Sequence, residues 1–479
     1  MTAYEDHVDH LQNVLSGQMG ELQQSESYLD STYRLQTIGL GVPPEMRKLR
    51  VNVGWPALYL RAIEERLDVE GFRVNGQSEG VEELWQWWQD NDLDEESGLG
   101  HMDAMTFRRS YITVAAPGPD DDADYPLIRL ESPLSMYAEL DPRTHNVTRA
   151  CRFYHLDSTD PNALIEGRAV ADAATLLLPD RTIYLRRDQG QASKWIQDGK
   201  PVVHNLGVVP VVPLVNRAKL SDRQGQSEIS PEIRSLTDAA ARTLMNLQAA
   251  SELIAVPLRG FFGVDGTKLT GADGNVVSTA ELYYGRMLTL SDKDAKSFEF
   301  SAADLRNFAE ELNELAKQFA AYTGLPPQYL SFSSDNPASA EAIQASESRL
   351  VKTCERKARM FGGSWERAMR LATKVMGKEV PEGYHRLETV WRDPSTPTIS
   401  AKADAATKLY ANGQGPVPKE MIRIDLGYTS EQRAQMKEWD AEDRQSILTD
   451  LYAQTKAVAD ATPKPDPATK KPASTGSTK

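Results

Sequence analysis

The stretch that most limits what this chain can fold into is a helical run from about Ser339 to Met376. At 1.5 Å per residue such a helix is about 55 Å long, more than the radius of an ordinary domain. One line along it is apolar: Ile343, Leu350, Cys354, Ala358, Phe361 and Trp365. Gly362 and Gly363 fall in its middle and are expected to kink or loosen it. Its first half is basic, with Arg349, Lys352, Arg356, Lys357 and Arg359, but Glu341, Glu347 and Glu355 are interleaved. Ion pairs are therefore expected there rather than one continuous basic face.

Two more helices have the spacing to pack beside it. Residues 303–322 carry Leu305, Phe308, Leu312, Leu315, Phe319 and Tyr322 on a narrow heptad-like seam, ended by Gly324, Pro326 and Pro327. Residues 227–255 form another, with Ser230 as N-cap, Pro231 at the first helical position, and Ile233, Leu236, Ala240, Leu244 and Leu247 at helical steps. Between these two, residues 256–302 are short, glycine-punctuated and β-like, and "GADGN" (271–275) is a hairpin signal. Ahead of the longest helix lies "LSFSSDNPASAEAIQ" (330–344), with an Asp-Asn-Pro breaker and no apolar run after Phe332. Its composition is that of a plain surface loop.

The first half of the chain has a different texture. A helix over 3–37 precedes "GLGVPPEMRKL"; a helix from Pro56 to Leu67, an extended "VEGFRV" and a helix through "VEELWQWWQDNDL" come after it. Trp85 and Trp88 lie on one face of the last and read as core anchors. From Tyr111 to Asn216 short β-like runs alternate with turns, "LPDRT" (178–182) among them. The class is α+β. Towards the C-terminus, residues 383–400 hold a strand and a proline-bounded turn, and Ser400 caps a helix that stops at Asn412 and Gly413. Thr429 and Gln432 have capping-box spacing for a last helix to about Val458, and the Pro/Lys/Ser/Thr-rich remainder is expected to be disordered.

The chemistry that is missing narrows the function. There is no phosphate-cradling Gly-rich loop ending in Lys-Ser/Thr, no nucleophile elbow, no H-E-x-x-H and no dinucleotide fingerprint; "GLGHMD" (98–103) lacks the third glycine and a preceding strand. "DDDAD" (120–124) reads as a solvated acidic loop rather than a metal site. Cys151 and Cys354 are the two cysteines, without zinc-type spacing, and read as buried thiols in a reducing compartment. With 479 residues, two to four domains and a sizeable core are expected. The formal charge of −15 argues against a broad basic face that binds nucleic acid tightly. No signal peptide and no membrane-spanning run are recognised. No catalytic residue, cofactor or metal is expected, which moves weight to a structural or assembly role.

Four stretches carry a resemblance. They are "YLDSTYRLQTIGLGVPPEMRKLRVNVGWPALYLRAIEERLDVEGFRV", "ELDPRTHNVTRACRFY", "HNLGVVPVVPLVNRAKLSDRQGQSEIS" and "TGLPPQYLSFSSDNPASAEAIQASESRLV". Together with the order of elements they resemble the portal (head-to-tail connector) proteins of tailed bacteriophages, in particular the portal family common in actinobacterial phages. The resemblance covers most of residues 25–455. It implies an α+β portal fold: a helical/β wing, a two-helix stem, a small α/β clip, a long kinked helix and an α-helical crown. Laid on this sequence, the wing is 1–226, the stem helices are 227–255 and 303–330 with its turn, and the clip is 256–302. The tunnel loop is 331–338, the long helix and wing return 339–399, the crown 400–458 and the disordered tail 459–479.

The family also implies partners. It implies a homo-oligomeric ring, usually of twelve subunits, at one capsid vertex in the virion, assembled in the host cytoplasm. A terminase motor, a head-completion adaptor, and major capsid and scaffolding proteins dock on it, and double-stranded DNA passes through it. Site residues are assigned by position. Ser331, Phe332, Ser333, Ser334, Asp335, Asn336 and Pro337 would line the DNA channel. Lys268, Asp273, Arg286 and Asp292 would serve clip docking, and Leu305, Phe308, Leu312, Leu315 and Phe319 stem packing. A soluble α+β enzyme without a recognisable motif, or another capsid-assembly protein such as a scaffold, is the alternative.

Overall fold

The structure is a computed structural model. It describes residues 3–33, 51–74, 80–119, 121–155, 171–188, 194–217, 219–254, 259–262, 287–290, 298–299, 305–330, 340–395, 399–410, 415–428, 432–433, 435–446 and 449. Two compact units are present, Met1–Thr396 and Pro397–Lys479.

In the first unit, helix α1 (Ala3–Leu29) covers one face of an antiparallel sheet. The strands run β4 (Met136–Leu140), β5 (Val147–Tyr154), β6 (Ala173–Leu177), β7 (Arg181–Arg187) and β8 (Trp195–Gln197), with β9 (Val202–Val203) also on β7. Period-two alternation decides which face is covered. Ile183 and Leu185 are buried under Val8, Leu11 and Leu15, while Tyr184 and Arg186, which alternate with them, are exposed. The expected "LPDRT" turn joins β6 to β7, closed by Leu178 N–H to the Arg181 carbonyl at 3.0 Å. The α1 helix ends at Leu29, short of the expected 37, and residues 34–50 lie outside the described residues.

The larger core lies around the long helix. Helices α2 (Trp55–Glu64), α3 (Glu82–Asp90) and α4 (Leu93–Phe107) pack with a sheet of order β10 (Val211–Val215), β2 (Arg109–Ala115), β3 (Leu127–Glu131). Strand β1 (Val69–Val74) pairs antiparallel with β14 (Leu387–Trp391), over three hundred residues later, with Phe72 opposite Thr389. Helix α4 was not expected. "GLGHMD" lies on it, and its glycines are packing positions: a Cβ on Gly100 would meet the Leu130 side chain. Trp88 is fully buried and Trp85 half-buried beside it, and Trp88 meets Trp365 edge-on at 4.8 Å. Both cysteines are buried and free.

Three helices carry the rest of this unit: α5 (Pro231–Ile254), α6 (Arg306–Thr323) and α7 (Ala340–Val375). Strand β11 (Arg259–Phe262) pairs parallel with β12 (Met287–Leu290) and antiparallel with β13 (Phe298–Glu299). A parallel pair needs a crossover rather than a tight turn, so a "GADGN" hairpin does not join β11 directly to β12; the turn itself lies outside the described residues. Helix α7 runs without a break in its helical assignment through Gly362 and Gly363. Gly362 has a packing role: a Cβ there would come within 3.1 Å of Trp391 Nε1, so glycine lets β14 approach the helix.

The second unit holds α8 (Ile399–Tyr410), α9 (Lys419–Asp425) and helical residues 435–446. Ser400 is already inside α8 rather than capping it.

Candidate functional site

The stem-type seam sets where α6 ends and hence where the chain leaves towards α7. Leu312 and Leu315 pack with Val53, Ala240, Ala241 and Leu244, so α6 lies on the small-residue face of α5. Phe319 is fully buried and meets Trp55 at 5.3 Å, while Leu305 and Phe308 are half-buried. Tyr322 falls off the buried face; its hydroxyl donates to Glu232 Oε2 at 3.0 Å and lies 3.2 Å from Ser230 Oγ, joining the C-terminal end of α6 to the start of α5.

Helix α6 stops at Gly324, which is left-handed (φ +80°), the conformation that ends helices and favours glycine. A Cβ at Gly324 would also strike the Arg349 side chain. A short turn, Pro327–Tyr329, comes next. Ser331, Phe332, Ser333, Ser334, Asp335, Asn336 and Pro337 then lie outside the described residues, and α7 begins at Ala340.

Both flanks of that segment are tied to each other and to α2. Tyr329 Oη donates to Glu347 Oε1 at 2.8 Å. Arg66, at the end of α2, donates to Tyr329 Oη at 3.1 Å, approaches Glu347 Oε1 at 3.5 Å, and reaches the Ala62 carbonyl at 3.0 Å. The Arg66 and Glu347 side chains are each 10% exposed, so this is a largely buried pair whose partners depend on one another. Burial raises the Tyr329 phenol above its ordinary pKa and keeps it a donor. Gln328 donates to Ser346 Oγ at 2.9 Å, and Arg349 donates to the Ala321 carbonyl at 2.7 Å. The chain thus leaves at Leu330 and returns at Ala340 from a fixed frame.

Further along α7 is a second polar node. Lys357, one of the basic residues expected to form ion pairs, is buried; its ammonium contacts Glu228 Oε1 and Asn216 Oδ1. Tyr59 donates to Glu228 Oε2 at 3.0 Å, and Asn216 Nδ2 donates to Glu228 Oε1 at 3.0 Å and to the Gln226 carbonyl at 2.7 Å. Burial opposes the charge on both members. For Glu228 the Lys357 ammonium and the hydrogen bonds from Asn216 and Tyr59 together outweigh it and lower the carboxyl pKa; for Lys357 burial wins and lowers the ammonium pKa. The loop between Asn216 and Gln226, which feeds α5, is closed by Gln226 N–H to the Asn216 carbonyl at 2.7 Å. The node therefore locks β10, the start of α5, α2 and α7 together. The rest of the basic stretch pairs as expected at Lys352–Glu355, 2.8 Å, on the surface.

Nothing in this frame has the make-up of a catalytic centre. His101 accepts from Trp365 Nε1 at 3.0 Å and stacks on Phe361 at 5.1 Å; burial pushes its pKa down to about 3, so it is a neutral core residue. Asp121 of the acidic loop accepts from the Gly118 N–H at 2.7 Å in a local turn. Among the described residues no group of His, Cys, Asp and Glu is arranged to hold a metal. Lys268, Asp273, Arg286 and Asp292 lie outside the described residues.

Arg66, Tyr329, Tyr59, Asn216 and Glu228 were not singled out from sequence, because their partners are distant along the chain; Glu347 was read as an ion-pairing residue, but its partner Arg66 was not. Lys357 did carry a signal. It sits three residues after Cys354 and four before Phe361, on the apolar line itself. A lysine there has to find a buried partner.

Among protein families, the one described as "Phage portal protein, SPP1 Gp6-like" matches residues 18–448. A portal protein of Mycobacterium phage L5 is 51% identical over 429 residues, covering 88% of this chain and 85% of that one. A portal protein of Mycobacterium phage D29 is 49% identical over 441 residues, covering 91% and 88%. Among solved structures, a chain from the neck of a native gene transfer agent particle is 15% identical, with 78% and 90% coverage and a TM-score of 0.36. A chain from the virion of a native gene transfer agent particle is 13% identical, with 86% and 93% coverage and a TM-score of 0.37.

Proposed function

The chain belongs to the SPP1 Gp6-like phage portal protein family, and from that membership we propose that it forms the ring at one capsid vertex through which DNA is packaged and ejected. The family match over residues 18–448 is the observation that carries this reading. In the ring, α5 and α6 act as the stem and residues 256–302 as the clip. Residues 331–338 are the tunnel loop, and 400–458 the crown inside the capsid. The terminase motor and later the head-completion adaptor dock on the clip, with Lys268, Asp273, Arg286 and Asp292 as contact residues. Capsid and scaffolding proteins meet the outer parts. The work is mechanical and structural rather than catalytic.

Two physical points support the reading. The Arg66–Tyr329–Glu347 tie gives a loop at 331–338 a fixed base, which a loop pressed by moving DNA requires. The net charge is in keeping with passage rather than capture: twelve copies of a −15 chain carry on the order of −180, and an acidic lumen would repel phosphates. Loop residues 331–337 contain Asp335 as their one charged side chain, so the loop presents polar, weakly adhesive groups to the duplex.

The test is electron microscopy of the purified chain together with recovery of the chain in particles. Rings with a central hole, and a ring's worth of copies in DNA-filled heads, are expected. Monomers under every condition, with no copies in filled heads, would contradict the reading.

A further inference from the structure

The loop from Asn216 to Gln226 is fixed at its base and bare at its tip. At the base, Gln226 N–H donates to the Asn216 carbonyl and Asn216 Nδ2 to the Gln226 carbonyl, both at 2.7 Å, and Asn216 N–H donates to the Arg108 carbonyl at 2.8 Å. Gly225 is left-handed (φ +85°), and a Cβ there would strike the Arg108 carbonyl, so the base admits no side chain at that position. The Arg217 N–H reaches Met360 Sδ at 3.2 Å, which lays the loop on α7. The tip stands out from this base. Leu220 is 81% exposed, more than any other large apolar side chain among the described residues.

The tip is also cationic in an acidic chain. Residues 217–223 hold three cations, Arg217, Lys219 and Arg223, against one anion, Asp222, where the whole chain carries −15. Arg356, one turn before Met360 on the same face of α7, adds a fourth cation beside Arg217. Lys219, Arg223 and Arg356 are exposed. Among the described residues none of the four cations forms an ion pair, and the nearby Glu355 is taken by Lys352 at 2.8 Å. Inside the loop, Arg217 Nε, Asp222 Oδ2 and Gln224 Oε1 are buried with no hydrogen-bond partner among the described residues. Unmet polar groups of this kind lower the cost of rearranging the tip.

We propose that this surface docks an acidic, partly apolar segment of another protein, its carboxylates meeting Lys219, Arg223 and Arg356 and its apolar side chains covering Leu220. Two features select a protein segment over a nucleic acid. A phosphate backbone pairs with the cations but leaves Leu220 in water, whereas a polypeptide supplies both kinds of group. The net charge of −15 opposes the approach of a long polyanion, while a short segment meets only the charges within about 10 Å, the screening distance in dilute salt. The surface is complete in the single chain and does not require the ring.

The test uses the purified full-length chain and the fluorescence anisotropy of a labelled peptide with Glu on one helical face and Leu on the other. Binding is expected, at least tenfold tighter than that of the same peptide with Gln in place of Glu. Leu220→Ser should weaken it at least tenfold with the urea midpoint unchanged. Lys219→Gln combined with Arg223→Gln should weaken it as much and remove most of its salt dependence. A short DNA duplex bound as tightly, through the same two cations, gives the surface to phosphates and overturns the proposal. Binding untouched by Leu220→Ser reduces the contact to diffuse charge and overturns it, as does no binding of the peptide. Binding by the single chain that vanishes in rings gives the surface to a neighbouring copy and overturns it too.

Discussion

The two halves of helix α7 are built in opposite ways. From Phe361 to Ala372 the helix is embedded in the aromatic and aliphatic core, with Phe361, Trp365, Ala368, Met369 and Ala372 all fully buried. From Ala340 to Lys357, Leu350 and Cys354 reach the same core, and polar ties hold the rest: Glu347 to Tyr329 and Arg66, Ser346 to Gln328, Arg349 to the end of α6, and Lys357 to Glu228. Apolar packing tolerates no gap and fixes one arrangement. Polar ties hold positions but exchange partners at smaller cost. A helix anchored at one end and tied at the other fits the proposal that residues 331–338 form the tunnel loop.

Substitutions can break this contrast, and the largest effect should come from the anchored half. Trp365→Ala is expected to cost about 3–5 kcal/mol through the cavity it leaves, read as a fall in the urea midpoint. A loss below about 1 kcal/mol would mean that this half is not the anchor. Next is Lys357→Met, which strands Glu228. A cost of about 3 kcal/mol is expected, at the low end for a buried pair because a fifth of the Glu228 side chain is exposed. Adding Glu228→Gln should recover more than half of it; no recovery would show that the node matters through packing rather than charge.

A pH series sharpens the comparison from the anchored side. Burial keeps His101 neutral in the folded chain down to about pH 3, while the unfolded chain takes up that proton near 6.5. The contribution is full above 6.5 and is lost as pH falls from there towards 3. Near pH 4.5 the loss amounts to about 2–3 kcal/mol. Asp103, which burial raises to about 6, acts in the opposite sense, so the His101 effect is read as the difference between wild type and His101→Gln. That difference should be constant above 6.5 and change steadily below it; a flat difference throughout would refute a neutral buried imidazole.

In the tied half the effects are smaller. Tyr329→Phe removes the hydroxyl between Arg66 and Glu347 and should cost about 1–2 kcal/mol. Rings should still form, but particles should retain less DNA; unchanged retention would separate the tie from the loop's work. Lys352→Ala, on the exposed Lys352–Glu355 pair, should stay within about 0.5 kcal/mol.

Much of this was legible in the sequence, for reasons tied to period. Leu350, Cys354, Phe361 and Trp365 recur at helical spacing, and all four are fully buried. Ser230 and Pro231 begin α5, and Ile183 and Leu185 alternate with exposed neighbours in β7. Helix α4 was missed because Gly98 and Gly100 look like breakers; their lack of a side chain serves packing on Glu64 and Leu130. Gly362 likewise serves packing, on Trp391 and Thr389. The polar nodes were illegible for a different reason. Arg66 meets Tyr329 and Glu347 across more than 260 residues, and no local pattern announces such a partner. The assignment of residues 331–337 came from resemblance, since their composition is that of any surface loop.

The most direct measurement is nuclease-protected DNA per particle when Ser331–Asn336 is replaced by a shorter Gly/Ser linker in the full chain. Rings and particles should form as for wild type while protected DNA falls well below a full genome's worth. Particles that package and hold full-length DNA normally with the linker in place would contradict a working loop held between Leu330 and Ala340.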